Sequence, residues 1–208
     1  MIELYTWDTP NGRKVSIMLE ECGLPYNVHT VHLGKGEQFA PEFVALNPNS
    51  KIPVIVDPDG PRDGNSCGPI TLMESGAILV YLAGKTGKFL PRSTRGKYKA
   101  LEWLMFQMGS IGPMFGQLHV FLRLAEPVAY AQERYTKEKD RLYGVLDRRL
   151  GEARYLAGEY SIADIATYPW VARHTFHKVD FAAYPNVKRW FDAISARPAV
   201  VRGMAVPA

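Results

Sequence analysis

The sequence predicts an α/β domain followed by an all-helical domain, and three observations carry that reading. Strand and helix patterns alternate in the order βαβαββα over the first 87 residues. No further convincing strand follows, and long stretches of helical periodicity take over. Between them lies the turn-rich Leu90-Pro91-Arg92-Ser93, so domains are expected at 1–87 and 96–208, with a linker at 88–95.

Ile2-Glu3-Leu4-Tyr5 opens the chain as a strand. Arg13 to Cys22 then sets Val15, Ile17, Met18 and Leu19 in an amphipathic pattern with charges at its ends, which Gly23-Leu24-Pro25 stops. Tyr26 to Val31 alternates polar and apolar residues as a second strand, and Pro41 to Leu46 makes a short helix before Asn47-Pro48. Pro53 to Val56 and Ile70 to Leu72 read as a hairpin whose loop, Asp57 to Pro69, exceeds a tight turn and carries Cys67. Glu74 to Lys85 supplies a helix that ends near Gly87. Beyond the linker, Tyr98 to Leu124 is one helical stretch, with a break or kink expected at Gly109, Gly112 and Pro113. Tyr130 to Leu150, Ser161 to Thr175 and Pro185 to Arg197 complete the helices.

Composition narrows the function. The net charge of +4 is spread along 208 residues, with no basic block interleaved with aromatics, which argues against a nucleic-acid partner and suits small anionic ligands. No apolar run approaches the roughly 20 residues of a membrane span, and the N-terminus lacks a signal-peptide pattern. A cytoplasmic protein without a membrane partner is therefore expected. Cys22 and Cys67 are the only cysteines, too few for a disulfide scaffold or a cysteine-only zinc cluster, and no metal is expected.

The corner between the first strand and first helix is Thr9-Pro10-Asn11-Gly12. A redox fold that uses its own thiol would place Cys-x-x-Cys at such a corner, because a helix N-terminus lowers a thiol pKa. Here Thr and Asn stand instead, so any sulfur handled at this helix start belongs to a ligand. Taken alone, Thr9-Pro10 also reads as an N-cap followed by Pro at the first helical position. Ile52-Pro53, at a strand entry, can present its backbone to a peptide-like ligand if the bond is cis, while an ordinary trans proline is the plain alternative. Glu74-Ser75-Gly76 at a helix start pairs a carboxylate for an ammonium with a hydroxyl and N–H groups for a carboxylate, which suits a zwitterionic amino-acid head; the same residues also make a plain helix start. Ser161-Ile162-Ala163-Asp164 is a capping-box variant with a structural role.

Thr9, Asn11, Gln38, Ile52, Glu74 and Ser75 all fall at loop-to-element boundaries on one predicted face of one small sheet. Together with Asn47-Pro48-Asn49-Ser50-Lys51-Ile52-Pro53-Val54, Glu74-Ser75-Gly76-Ala77-Ile78 and Ser161-Ile162-Ala163-Asp164-Ile165, they make the chain resemble the soluble glutathione transferase superfamily. Within it the chain is most similar to the bacterial Nu class, glutathione-dependent disulfide-bond oxidoreductases related to the fungal nitrogen-regulatory prion protein. The marks are Thr9-Pro10-Asn11-Gly12, Gly34-Lys35-Gly36-Glu37-Gln38-Phe39, Gly112-Pro113-Met114-Phe115-Gly116-Gln117, Glu133-Arg134-Tyr135 and Arg141-Leu142-Tyr143.

The resemblance implies a thioredoxin-like N-terminal domain, a helical C-terminal domain, a homodimer, and glutathione as cosubstrate. It implies that Thr9 and Asn11 flank the glutathione sulfur as the catalytic pair. Gln38 and Lys51 then lie toward its glycine carboxylate, Ile52 and Pro53 meet the cysteinyl unit, Glu74 and Ser75 hold the γ-glutamyl end, and Arg134 reaches a glutathione carboxylate. Tyr5 belongs to a strand and is expected to pack. The expected activity is glutathione-dependent reduction of small disulfides without an obligatory protein cysteine. The alternatives are conjugation to electrophiles, with Met105, Met108, Met114, Phe115 and His119 lining the acceptor pocket, and a non-catalytic glutathione-binding regulatory module.

Overall fold

The computed structural model describes residues 1–61 and 68–207. Cys67, with residues 62–66 of its loop, lies outside the described residues. By packing, the chain divides into a unit of Met1–Lys88 with Arg197–Ala208 and a unit of Phe89–Ala196.

The first unit runs β1 (Ile2–Thr6), α1 (Pro10–Cys22), β2 (Tyr26–Thr30), α2 (Pro41–Leu46), β3 (Val54–Asp57), β4 (Ile70–Met73) and α3 (Ser75–Thr86), the order the sequence predicts. The sheet order is β2-β1-β3-β4, with β1 parallel to β2 and β3 antiparallel to both of its neighbours. Ile2, Leu4 and Thr6 face inward while Glu3 and Tyr5 stay partly exposed, the period-two signature of a half-buried strand. At the edge of the sheet, β2 is mostly exposed despite its alternating sequence.

Helix α1 is buried more completely than its amphipathic pattern predicts: Arg13, Lys14 and Ser16 are interior together with Val15, Ile17, Met18 and Leu19. The reason is α9 (Pro198–Met204), a short helix the sequence reading stops short of, which covers a second face of α1. Gly203 meets Ile17 so closely that an added Cβ would stand 2.5 Å from the Ile17 Cα and 2.6 Å from its nitrogen. Ser16 Oγ donates to the Gly203 carbonyl at 2.7 Å, and Arg13 Nη1 donates to the Val206 carbonyl at 2.5 Å. Arg197 pairs with Glu21 through bonds of 2.6 and 2.9 Å, and Arg202 with Glu20 at 2.6 Å. The last residues thus pack with the first unit, whereas the sequence reading assigned them to a helical domain of 96–208.

Because backbone atoms of Ile17 form the clash, Gly203→Ala forces the helices apart. It is expected to lower stability by about 1–3 kcal/mol, measured by urea denaturation.

The second unit contains α4 (Thr94–Phe106), α5 (Gly112–Arg123), α6 (Ala129–Glu152), α7 (Ile162–Val171) and α8 (Pro185–Ser195). The break expected near Gly109 is a π-helical turn at Gln107–Ile111, which separates α4 from α5 just before Pro113. A widened turn lets the chain continue where the proline ring would meet the carbonyl four residues earlier. Helix α7 is buried on all sides and starts with the predicted capping box at Ser161 and Asp164. Among the described residues no helix is long and apolar enough to cross a membrane, and no group of three or more His, Cys, Asp and Glu side chains is placed to hold a metal ion.

Candidate active site

Strand register explains why residues far apart in sequence meet. Tyr5 pairs with Val54, and Val54 with Met73, so β1 leaves the sheet, β3 enters it and β4 leaves it at one end. Thr6 pairs in parallel with Thr30, which brings the β2–α2 connection to the same end. Thr9 and Asn11, Gln38, Lys51 with Ile52 and Pro53, and Glu74 with Ser75 therefore all emerge around one edge. Arg134 is on α6 of the second unit.

Thr9 is the N-cap of α1, with extended backbone (φ −135°), and its Oγ1 accepts from the Gly12 amide at 3.2 Å. Pro10 fills the first helical position, where a missing N–H costs nothing. Gly12 is required by space: an added Cβ would lie 2.4 Å from Thr6 Oγ1 and 2.5 Å from the Trp7 carbonyl oxygen. Asn11 is half-buried beside them, and α1 has no acidic residue in its first turn, so the positive end of its dipole faces this edge.

The Ile52–Pro53 bond is cis, and both residues are buried while Lys51 is exposed. Asn47 fixes the preceding loop: its amide donates to the Lys51 carbonyl at 2.7 Å and its Oδ1 accepts from the Asn49 amide at 2.9 Å. Gln38 lies in a 3-10 turn, Glu37–Phe39, and its Oε1 is buried without a hydrogen-bond partner. Such an orphaned acceptor is costly in the interior and is satisfied readily by a ligand N–H.

Glu74 precedes α3 in the left-handed region, with φ 67° and ψ 110°, and no side chain caps this helix. A non-glycine residue held there is strained, and such strain recurs at ligand clamps. Ser75 is 3 % exposed, and Lys14, 1 % exposed, donates to its Oγ at 3.3 Å. Burial drives the Lys14 ammonium down to about 7, partly opposed by the Glu74 carboxylate. Sequence reading missed Lys14 because it counts as one of the charges at the start of an amphipathic helix.

The other candidates divide. Tyr5 packs as expected, stacked on His29 with centroids 4.5 Å apart. Cys22 is 6 % exposed, and burial pushes its thiol pKa up, which disarms it as a nucleophile. In the second unit, Arg134 is exposed and lines a groove of about 590 Å³ with Met114, Tyr130, Glu133 and Arg141. Phe115 is fully buried and stacks on Tyr143, so it serves the core, and Met105 is 55 % exposed. His119 stacks on His177 at 4.4 Å, and burial depresses its pKa to about 4.

The glutathione S-transferase N-terminal domain family matches residues 9–85, and the C-terminal domain family matches residues 104–198. The chain is 52 % identical over 201 residues to the disulfide-bond oxidoreductase YfcG of Escherichia coli, covering 96 % of this chain and 92 % of that one. A glutathione transferase from Burkholderia graminis, crystallised with two glutathione molecules per subunit, is 50 % identical with a TM-score of 0.93, over 99 % of this chain and 88 % of its own. A glutathione transferase from Pseudomonas putida, crystallised with one glutathione disulfide per subunit, is 45 % identical with a TM-score of 0.91, over 100 % of this chain and 92 % of its own. Thr9, Pro10 and Asn11 open the first matched segment, Glu74 and Ser75 lie within it, and the capped helix at Ser161 lies within the second: the chain belongs to the glutathione S-transferase family.

Proposed function

We propose that the protein reduces small disulfides with glutathione, using the thiolate of the bound tripeptide in place of a protein cysteine. The observation that carries this reading is the edge itself: a helix N-terminus with Thr9 and Asn11 where a thiol enzyme keeps its cysteine, beside the cis Ile52–Pro53 bond and the uncapped start of α3. Thr9, Asn11 and the α1 dipole stabilise negative charge on the glutathione sulfur. Ile52 offers backbone to the cysteinyl unit, with Pro53 fixing its direction. Glu74 takes the γ-glutamyl ammonium, and Ser75 with the α3 N-terminus takes the α-carboxylate. Gln38 and Lys51 serve the glycine end, and Arg134 serves a glutathione carboxylate.

In the net reaction two glutathione molecules lose their thiol protons and form glutathione disulfide, while the substrate disulfide takes up two electrons and two protons and leaves as two thiols. Binding of two glutathione molecules, or of glutathione disulfide, by the Burkholderia and Pseudomonas relatives supports this stoichiometry, and so does the disulfide-bond oxidoreductase name of YfcG. The proposal includes a homodimer in a reducing cytoplasm. Tyr98, Met105 and Val120, exposed on α4 and α5, offer apolar surface for the partner, and sedimentation measures the assembly.

Replacing both cysteines tests the mechanism. Cys22→Ser with Cys67→Ser is expected to keep reduction of 2-hydroxyethyl disulfide within about twofold of the parent, coupled to glutathione regeneration. Loss of turnover in a folded double variant would sink the ligand-thiolate reading. An aryl halide consumed faster than the disulfide would move the protein to the conjugating enzymes.

A further inference from the structure

Lys14 is the group at this edge that the assigned roles leave unused. It is among the largest fully buried side chains of the protein, on α1, with its nitrogen directed at Ser75 at the start of α3. An ammonium moved from water into a protein interior loses hydration worth several kcal/mol, and the Glu74 carboxylate offsets part of that loss for Lys14. In the charged form of Lys14 the 3.3 Å contact has a defined sense: a protonated lysine only donates, so Ser75 Oγ accepts there and the Ser75 hydroxyl proton is directed away from Lys14.

We propose that Lys14 is a specificity-setting positioning residue of the γ-glutamyl end: it orients Ser75 toward the incoming α-carboxylate, pairs that carboxylate from behind, and takes up a proton from solvent as the pairing completes. This inference rests on the glutathione reading above.

The surrounding charges support it. Glu74 is an acidic group acting on Lys14, from the strained residue leading into α3, and it is also the residue assigned to the ligand's ammonium. Among the described residues, other charges on and against α1 are engaged elsewhere: Arg13 with Asp8, Arg197 with Glu21, and Arg202 with Glu20. On α3, Lys85 pairs with Asp57. Ligand binding that sets an ammonium against Glu74 weakens the attraction holding a proton on Lys14, and the α-carboxylate brings a second negative charge that restores it. The sign follows. Burial holds Lys14 near 7 in the free protein, so much of its population is neutral above that pH; an added anion raises the value, and protons are bound on complex formation. Ligands with the α-carboxylate gain this pairing and those without it do not.

The test is calorimetric titration of the full-length protein at about pH 8, in two buffers of different ionisation enthalpy, with S-methylglutathione as the probe. Blocking the sulfur removes thiol ionisation from the proton balance. The expected result is uptake of more than about half a proton per site by the parent protein, because a group that titrates near 7 is mostly unprotonated at that pH. In Lys14→Met, of similar volume, the uptake falls to near zero and affinity drops about ten- to a hundredfold. The probe lacking the α-carboxylate, built on γ-aminobutyrate, is expected to bind the parent without uptake and to bind both proteins about equally. Binding of S-methylglutathione by the parent without proton uptake overturns the proposal and leaves the glutathione site standing. No binding at all removes the glutathione reading and this proposal together.

Discussion

Replacing Asp164 by Ala is expected to destabilise the second unit by about 3–5 kcal/mol, the range for uncompensated buried polar groups in a network. Asp164 is fully buried at the third position of α7. Its Oδ1 accepts from the Leu156 amide at 3.0 Å and from Trp190 Nε1 at 2.8 Å, and its Oδ2 accepts from the Ser161 amide at 3.0 Å and the Ser161 hydroxyl at 3.2 Å. One carboxylate therefore joins the loop before α7, the α7 start and α8. Alanine leaves three N–H donors in the interior. Ser161→Ala, which removes a cap but keeps the carboxylate, is expected to cost about 1 kcal/mol, so the two variants separate capping from bridging. Urea denaturation of each checks the ranking, and an equal loss in both would sink the bridging role.

The same residue gives a pH dependence opposite in sign to that of an ion-paired carboxylate. Burial raises Asp164 to about 6, against the four bonds that favour its charged form. An unfolded aspartate titrates near 4, so between roughly 4 and 6 the folded chain holds the proton more tightly, and this group's contribution to stability grows as pH falls through that window. The gap in thermal midpoint between the parent and Asp164→Asn is accordingly expected to be wider at about pH 4.5 than at pH 7.

Much of this was legible in the sequence because it is local. Ser161 with Asp164 three residues later, Thr9 before Pro10, and Gly23 ending α1 in the left-handed region at φ 69° are short-range signals, and each sits where the pattern places it. The break ahead of Pro113 was equally local, although its form as a π-helical turn was not. What escaped was long-range packing. The tail after residue 196 reads as more helical domain, and long-range contacts such as Gly203 seated on Ile17 and the ion pairs to Glu20 and Glu21 assign it to the first unit. Lys14 escaped for the same reason, since its burial follows from α3 and α9 closing over α1. Phe115 and His119 carry the apolar character of a binding pocket, but the fold turns them toward Tyr143 and His177. A helical pattern specifies which face is apolar; it does not specify whether a ligand or a neighbouring helix covers it.

Thr9→Val is expected to lower kcat/KM for disulfide reduction about a hundredfold, in the range for removal of a preorganised donor to a developing anion. Thr9 Oγ1 accepts from the Gly12 amide at 3.2 Å, which fixes the oxygen at the helix start and leaves the hydroxyl proton to be donated beyond it. A donor held in place by its own helix reorganises little when a thiolate forms above it. Asn11 is only half-buried, with more side-chain freedom to lose, so Asn11→Ala is expected to cost about tenfold. Valine keeps the shape of threonine and removes the donor together with the cap, whose loss costs about 1 kcal/mol of stability and is measured separately by urea denaturation. Thr9→Ser keeps both functions and is expected to stay within about threefold of the parent. Titrating the ultraviolet absorbance of the bound thiolate connects rate to cause: the apparent pKa of bound glutathione is expected to rise by about one to two units in Thr9→Val, each unit being 1.36 kcal/mol of lost thiolate stabilisation, and by less in Asn11→Ala. The opposite order would transfer the role of principal donor to Asn11 and leave Thr9 as the cap of α1.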